Sequence, residues 1–375
     1  MLTLSIFMVL GWGQAAFSEE YGLGDIPLDP ETYQKYLKVY PDAMAEGLPA
    51  AYDARNDGIV TSAKNQGACG SCWAFASAGA LESHILKDGG QEYDISEQQQ
   101  VSCNLDNYGC CGGYSDAVTF WESQGPILES CGSYEESGTS CSTAERTVPC
   151  SNLSGCSELS YRVTDWHTVS ATVTDFKTSL YNDGPSYWRY DVFEDFMDFW
   201  RTAQSGEVYV NINASEENYL GGHAVLIIGW DDAKGAYLCK NSWGATGGPN
   251  EDGTFWIAYS GHADPLGLRF GMANFELTGG SSCPECPPDG DINNVNFPAG
   301  LTCTCTYNSV AITIGANVVI GENAVVTFGS DVGITVGADM DIGANAVVTF
   351  SSDEVTIQPG FQFDASNGAT LNVGQ

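Results

Sequence analysis

Positive charge is scarce in this chain. Its 375 residues carry 13 lysines and arginines against 48 aspartates and glutamates, a formal net charge of −35. A surface this acidic repels polyphosphate and anionic bilayers, which excludes nucleic acid and membrane surfaces as main partners; otherwise it reads as a solubility device. Histidine is scarcer still: His84, His167, His223 and His262 are the whole supply. Chemistry that needs an imidazole therefore has few places to find one. Long apolar runs are missing as well. Only the opening MLTLSIFMVLGWGQAAFSEE stays apolar, for about 17 residues, which is short of a membrane helix. Residues 1–18 read instead as a signal peptide with Ala16-Phe17-Ser18 as its cut site, although a basic start is lacking. No membrane span is expected, and the protein is expected to be secreted or held at the cell surface.

Cysteine is not lacking. There are fourteen, and in an exported chain they read as disulfides. If Cys72 is left free and Cys239, in the apolar run AYLCK, is a buried thiol, twelve remain for six bridges. Hydrophobic residues make up 43% of the chain, enough for a globular protein of more than one domain.

Behind the leader, residues 19–47 form an acidic, proline-containing segment with one short helix expected over Glu31–Val39. From Leu48 to Thr278 helices come first and strands later, an α+β order. One helix follows Ser71, with Ala74, Ala78, Leu81 and Ile85 at helical spacing, and stops at Gly89-Gly90. A second starts at Ser96, with Gln99 completing a capping box. Beyond residue 205, GEVYVNI, HAVLIIGW, AYLCKNSW and GTFWIAYSG read as strands. His84 falls in mid-helix, and His167 is expected in a polar loop; His84 and His262 read as surface or hydrogen-bonded residues.

Residues 279–310 turn to Gly, Pro, Asp and Asn and read as a linker stapled by Cys283, Cys286, Cys303 and Cys305, as two disulfides in preference to a zinc ribbon. ITIGANVVIGENAVVTF (312–328) and ITVGADMDIGANAVVTF (334–350) then match at 12 of 17 positions with a 22-residue offset. Short alternating apolar pieces at that period predict a small all-β solenoid over 311–375, with a β-sandwich as the rival. Its expected role is either a passive spacer or attachment to a cell surface or extracellular matrix.

The stretch QGACGSCWAFAS, residues 66–77, carries the chemistry. Cys72 falls at the first turn of its helix, where exposed N–H groups and the helix dipole favour a thiolate. A thiolate nucleophile needs a proton partner. Among the histidines only His223, in LGGHAVLIIGW, opens an apolar strand behind a glycine pair, and Asn241 follows in CKNSWG. With ISEQQQVSCN and YGCCGGY these blocks resemble, in order and spacing, the papain and cathepsin family of cysteine peptidases, over residues 48 to 276.

The resemblance implies a two-lobed fold, helical on one side and β-barrel-like on the other, acting on protein or peptide substrates with no cofactor and no metal. It implies Cys72 as nucleophile and His223 as acid and base. Asn241 would orient the imidazole, with Trp243 as its shield; Gln66 would share an oxyanion hole with the Cys72 N–H, and Gly112 and Gly113 would pair with the substrate backbone. It also implies disulfides Cys69–Cys110 and Cys103–Cys141, leaving Cys111 to reach Cys131 and Cys150 to close a loop with Cys156. Two departures stand out. GATGGPNEDG after Trp243 lacks a second tryptophan, which predicts weaker shielding of His223, and Ser186–Arg189 is bulkier than the small apolar run the family has there. No paired histidines occupy an inserted loop, so an endopeptidase is expected over an exopeptidase. The rival expectation is a non-catalytic adhesion protein on a degenerate peptidase fold.

Overall fold

The computed structural model describes residues 21–88, 90–135, 148–159, 161–264 and 267–278, then 290–293, 295–297, 302–307, 310–315, 317–322, 325–330, 332–337, 340–352, 354–359, 361 and 369–374. The expected leader, Cys141, Cys283 and Cys286 lie outside the described residues.

Helix α1 (Pro30–Lys35) opens on Asp29, whose carboxylate accepts from the N–H groups of Glu31 and Thr32. It is shorter than the expected Glu31–Val39: Leu37–Lys38 form strand β1, drawn into parallel pairing with Thr168 and Val169. A short helix α2 (Asp42–Ala45) and strand β2 (Ala51–Asp53) follow.

Helix α3 (Cys72–Lys87) starts at Ser71 and is buried from Cys72 to Ile85. Its apolar stripe is only half the reason, because Ala76, Ser77, Ala80 and Ser83 on the remaining faces are small enough to be covered too. Its one buried carboxylate, Glu82, is matched by Lys64 at 2.8 Å and by the Ile95 N–H at 2.9 Å. Lys64 also reaches Glu97 at 2.9 Å, which ties the chain just before Gln66 to the next helix. That helix, α4 (Glu97–Cys103), carries half of the expected capping box. Ser96 Oγ accepts from the Gln99 N–H at 3.1 Å, but the Gln99 side chain turns away to the carbonyl of Gly125 and the N–H of Ile127. Tertiary bonds outbid the local motif here. Helix α5 (Phe120–Ser123) ends the helical part.

The β-rich part runs β3 (Arg162–Val169), helix α6 (Val173–Asn182), β4 (Ser186–Phe193), helix α7 (Glu194–Thr202), β5 (Val208–Tyr209), β6 (Tyr219–Asp231), β7 (Ala236–Lys240), β8 (Thr254–Ala258) and β9 (Gly271–Thr278). They form one sheet in the order β1-β3-β9-β4-β6-β7-β8-β5, with β2 also on β6. Every pair is antiparallel except β1 with β3 and β5 with β8. The central strands β4 and β6 pack against α3. On one side lies an aromatic core including Trp188, Phe196, Trp230 and Phe255; on the other, Leu81, Trp121 and Ile228 close around α3.

Two histidine expectations need correction. His167 lies inside β3, buried, with Nε2 3.0 Å from the Tyr40 hydroxyl. His84 is no surface residue: it is buried and stacked on Phe275 at 4.2 Å, while His262 is bonded to the Asn211 N–H and the Ala258 carbonyl, as expected. Burial, with the charge of Lys87 second, lowers the His84 pKa to about 4. The folded state therefore holds fewer protons than an unfolded histidine of about 6.5, and stability from this site is intact above 6.5 and lost as pH falls towards 4. Urea unfolding of His84→Leu and its parent is expected to show the variant gaining on the parent as pH falls from 7 to 4.5, by at most about 1.4 kcal/mol per pH unit. A difference independent of pH would contradict this.

Cys69–Cys110 is formed as expected, but Cys103 pairs with Cys150 in place of Cys141, and Cys131 with Cys156. The expected Cys111–Cys131 and Cys150–Cys156 bridges are thereby overturned. Spacing along the chain does not encode connectivity: the short helical turn Cys150–Leu153 packs on α4, which brings Cys150 to Cys103. Cys111 is also disulfide-bonded, and among the described residues Cys72 and Cys239 are the free, buried thiols.

The C-terminal region consists of β10 (Asp291–Ile292), β11 (Asn296–Phe297), β12 (Thr302–Tyr307), β13 (Ile312–Ile314), β14 (Val318–Ile320), β15 (Val325–Ser330), β16 (Ile334–Val336), β17 (Met340–Ile342), β18 (Val347–Ser351), β19 (Val355–Ile357) and β20 (Thr370–Gly374). They form three small parallel sheets, β10-β13-β16-β19, β11-β14-β17 and β12-β15-β18-β20. The 22-residue offset reappears as register: Ile312 pairs with Ile334, Val318 with Met340 and Val325 with Val347. Like side chains therefore stack, as Phe328 does on Phe350 at 5.7 Å. Parallel pairing throughout is not that of an antiparallel sandwich. Part of the expected linker takes part, since β10, β11 and β12 pair with β13, β14 and β15. Cys305 is buried there and disulfide-bonded, which agrees with the disulfide reading.

Candidate active site

The buried helix α3 points its N-terminus at the junction with the sheet. Cys72 is its first residue and is completely buried. Trp73 beside it is anchored by its indole N–H on the Gly109 carbonyl at 3.0 Å. Gly113 lies so close to that indole that a Cβ would sit 2.4 Å from Trp73 Cδ2, so the Gly112-Gly113 backbone can form this wall only as glycine.

Strand β6 forms the opposite wall. His223 sits within β6, not at its start, and pairs with Tyr190 of β4. Its Nε2 is 2.7 Å from Asn241 Oδ1, at the end of β7. An amide oxygen only accepts, so Nε2 carries the proton and Nδ1 is left with a bare lone pair, buried and without a partner among the described residues. The next residue, Ala224, turns its N–H towards the Cys72 thiol. Trp243 stacks on the imidazole at 4.6 Å. Gln66 joins the two walls: its Oε1 accepts from Ser242 Oγ at 2.6 Å, and its Nε2 donates to the carbonyls of Cys69 and Gly22 at 2.8 and 2.9 Å.

Gly22 belongs to a segment that the sequence did not mark as part of the site. Residues 21–26 run along the cleft between the two walls. The Gly113 N–H donates to the Gly24 carbonyl and the Ile26 N–H to the Gly113 carbonyl, both at 2.8 Å; the Asp25 N–H donates to the Gly222 carbonyl at 3.1 Å. A Cβ on Gly22 would sit 2.2 Å from the Cys69 carbonyl oxygen, and one on Gly24 1.9 Å from that of Gly70. Only glycine passes at both points. Tyr21 stacks on Trp243 at 4.6 Å, 15° from parallel.

Filling the cleft sets the electrostatics. Burial, and then the nearby Asp25 carboxylate, pushes the Cys72 thiol up to about 12, against the pull of the N–H groups of Ala224, Gly24 and Trp73. Burial likewise lowers His223 to about 4, although its bond to Asn241 works the other way. Between those values the pair is a neutral thiol beside a neutral imidazole.

The structure thus brings Gln66, Cys72, Gly112, Gly113, His223, Asn241 and Trp243 to one cleft. The weaker shielding expected from the missing second tryptophan is not found: His223 is fully buried and Trp243 is 2% exposed. Trp200 of α7 covers Trp243 edge-on at 5.2 Å, and the glycines of the substituted loop, Gly247 and Gly248, lie against Trp200. The bulky Ser186–Arg189 run is the start of β4, wholly buried beneath the cleft. Sequence reading missed Tyr21, Asp25 and Trp200, and marked Tyr187 and Arg189 only as part of a bulky run; the aromatic run FEDFMDFW, opposite a glycine-rich loop, was the one available signal for Trp200.

The chain is 32% identical over 250 residues to cathepsin B-like cysteine proteinase 3 of Caenorhabditis elegans, covering 59% of this chain and 64% of that protein. It is 33% identical over 204 residues to mouse cathepsin K, covering 54% and 57%. It thus spans less than two thirds of these relatives' own length. Procathepsin B S9 of Trypanosoma congolense superposes with a TM-score of 0.54 at 21% identity, over 69% of this chain and 87% of that one. Xylellain, a cysteine protease of Xylella fastidiosa, gives 0.51 at 19%, over 69% and 96%. The sequence model of the papain family cysteine proteases matches residues 48–266. With more than half of its length matched in this way, and with the same fold, the chain belongs to the papain family of cysteine proteases.

Proposed function

We propose that this protein is an exported cysteine endopeptidase, made as a zymogen whose residues 21–26 fill the cleft. The observation that carries this reading is the fixed tautomer of His223. Asn241 holds the Nε2 proton, so the bare Nδ1, one residue from the Ala224 N–H at the thiol, is the atom able to take the Cys72 proton. Once the cleft opens, proton transfer gives a thiolate–imidazolium pair, stabilised by the N-terminus of α3. The thiolate attacks a peptide carbonyl, and the oxyanion is received by the Cys72 N–H and by Gln66 Nε2, a donor now spent on the Gly22 carbonyl. His223 protonates the leaving amine, and water releases the acyl group. The substrate backbone takes the place of residues 24–26 on Gly113, while Trp243 keeps water from the His223–Asn241 bond.

Export is supported by the disulfides. Among the described residues no helix is long and apolar enough to cross a membrane. The 22-residue register supports a β-solenoid, for which we propose attachment to a surface or matrix, or a spacer role.

Incubation of the full chain with an unfolded protein under mildly reducing conditions tests the reading. Internal cleavage is expected, and none with Cys72→Ala. Equal cleavage by that variant would overturn it, and a folded chain that cuts nothing would favour the adhesion reading.

A further inference from the structure

Strand β4 is buried along its length, yet it carries two charged residues, Arg189 and Asp191, that the chemistry above does not use. Arg189 Nε donates to Asp25 Oδ2, Nη2 to Asp191 Oδ1 at 2.9 Å, and Nη1 to the Arg269 carbonyl at 2.6 Å. The Tyr187 hydroxyl donates to the other oxygen of Asp25 at 2.6 Å. Arg269 Nε in turn donates to Asp191 Oδ2. The side chains of Asp25 and Asp191 are wholly buried, and that of Arg189 is 7% exposed.

Three of these charges belong to the peptidase domain; Asp25 does not. It arrives with the segment in the cleft, held by backbone pairing to Gly113 on one wall and Gly222 on the other, and follows Gly24, whose N–H faces the thiol. Two guanidiniums balance two carboxylates only while Asp25 is present. Asp191 is shared with Arg269, so it fixes the Arg189 guanidinium without neutralising it alone. When residues 21–26 leave, Arg189 Nε and the Tyr187 hydroxyl lose their common acceptor, and one positive charge is left unmatched in the cleft. Uncovered in the open cleft, the guanidinium and the hydroxyl are donors aimed at one place, and an incoming carboxylate would restore both bonds.

Resting on the peptidase reading, we propose that Tyr187 and Arg189 form a specificity pocket for an acidic side chain of the substrate, aspartate or glutamate, at the position whose backbone pairs with Gly113. Asp25 is the built-in occupant of that pocket. A neutral amide of the same shape would leave the guanidinium half-satisfied, and a leucine would leave it bare.

The test has two arms. In the first, the full chain is allowed to process itself, and kcat/KM is measured on peptides carrying Asp, Glu, Asn, Gln or Leu singly at each of the three positions before the bond cut. At one position Asp or Glu is expected to exceed its amide at least about tenfold, with the preference lost in Arg189→Gln and reduced in Tyr187→Phe. Wild-type enzyme that cuts Leu or amide peptides as well as acidic ones at all three positions would overturn the proposal, whatever the variants do. In the second arm, iodoacetamide alkylation of Cys72 is followed in the unprocessed full chain. Asp25→Asn and Arg189→Gln are each expected to speed it about tenfold, and together by no more than either alone, because they break one pair. Unchanged rates would overturn the pairing. Coupled alkylation with no cleavage of any peptide would overturn the peptidase reading instead, whereas cleavage without acidic preference would overturn the pocket alone.

Discussion

Replacing His223 with alanine is expected to lower kcat/KM on an unfolded protein by about 10³- to 10⁴-fold, with little change in KM. His223 serves twice in the proposed cycle, taking the thiol proton and returning it to the leaving amine, and a positioned acid–base group contributes about 10² to 10⁴ in a single step. The residual rate would come from the oxyanion donors and from substrate pairing along Gly113, which the variant leaves intact. Asn241→Ala is expected to be milder, because the imidazole stays in β6 under Trp243 but loses the acceptor that fixes its tautomer. Peptide-hydrolysis kinetics of the three proteins check this. Equal losses in kcat for Asn241→Ala and His223→Ala would show that orientation, not proton transfer, is the limiting contribution.

The second large effect concerns the closed cleft. Gly24→Ala would place a Cβ 1.9 Å from the Gly70 carbonyl oxygen, a backbone atom that cannot move aside cheaply. Overpacking of this kind costs about 1–3 kcal/mol, so the segment is expected to leave the cleft and Cys72 alkylation at pH 7 to rise about 10- to 100-fold. Alkylation reports the opening directly, because the closed thiol, pushed up to about 12, is scarcely ionised at that pH. Acid is not expected to open the cleft: opening moves the Cys72 proton onto His223 and takes none from solvent, and above about 4 the closed His223 is already neutral. The closed and open forms therefore bind equal numbers of protons, and self-processing is expected to change little between pH 6.5 and 4.5. A processing rate that changes steeply through that window would contradict the internal proton transfer.

What could be read from the sequence was local. The Cys72 helix, its start at Ser71, and the blocks holding Gln66, His223 and Asn241 each lie within a dozen residues of the features that reveal them. The 22-residue offset of the C-terminal region carried through to strand register for the same reason, since each repeat pairs with the next. What stayed hidden was long-range. Asp25 meets Arg189 across 164 residues, and no periodicity marks either. The bulk of Ser186–Arg189 stood out as an irregularity, but not as a ligand for a carboxylate from the N-terminal segment. The disulfides failed similarly: Cys103 and Cys150 meet because a short helical turn docks on α4. His167 was misplaced because TDWHTV sets polar residues on both sides of one tryptophan without a clear period, and only pairing with β9 makes the stretch a strand.

The central claim is that Cys72 is a nucleophile activated by His223 and masked by residues 21–26. Its most direct test is labelling by a thiolate-directed epoxide, with the modified residue located by mass spectrometry before and after self-processing of the full chain. The expected result is no label before processing, stoichiometric label on Cys72 and none on Cys239 afterwards, and no label on Gly24→Ala once His223→Ala is added. Label on Cys72 in the unprocessed chain, label on Cys239, or undiminished label without His223 would contradict it.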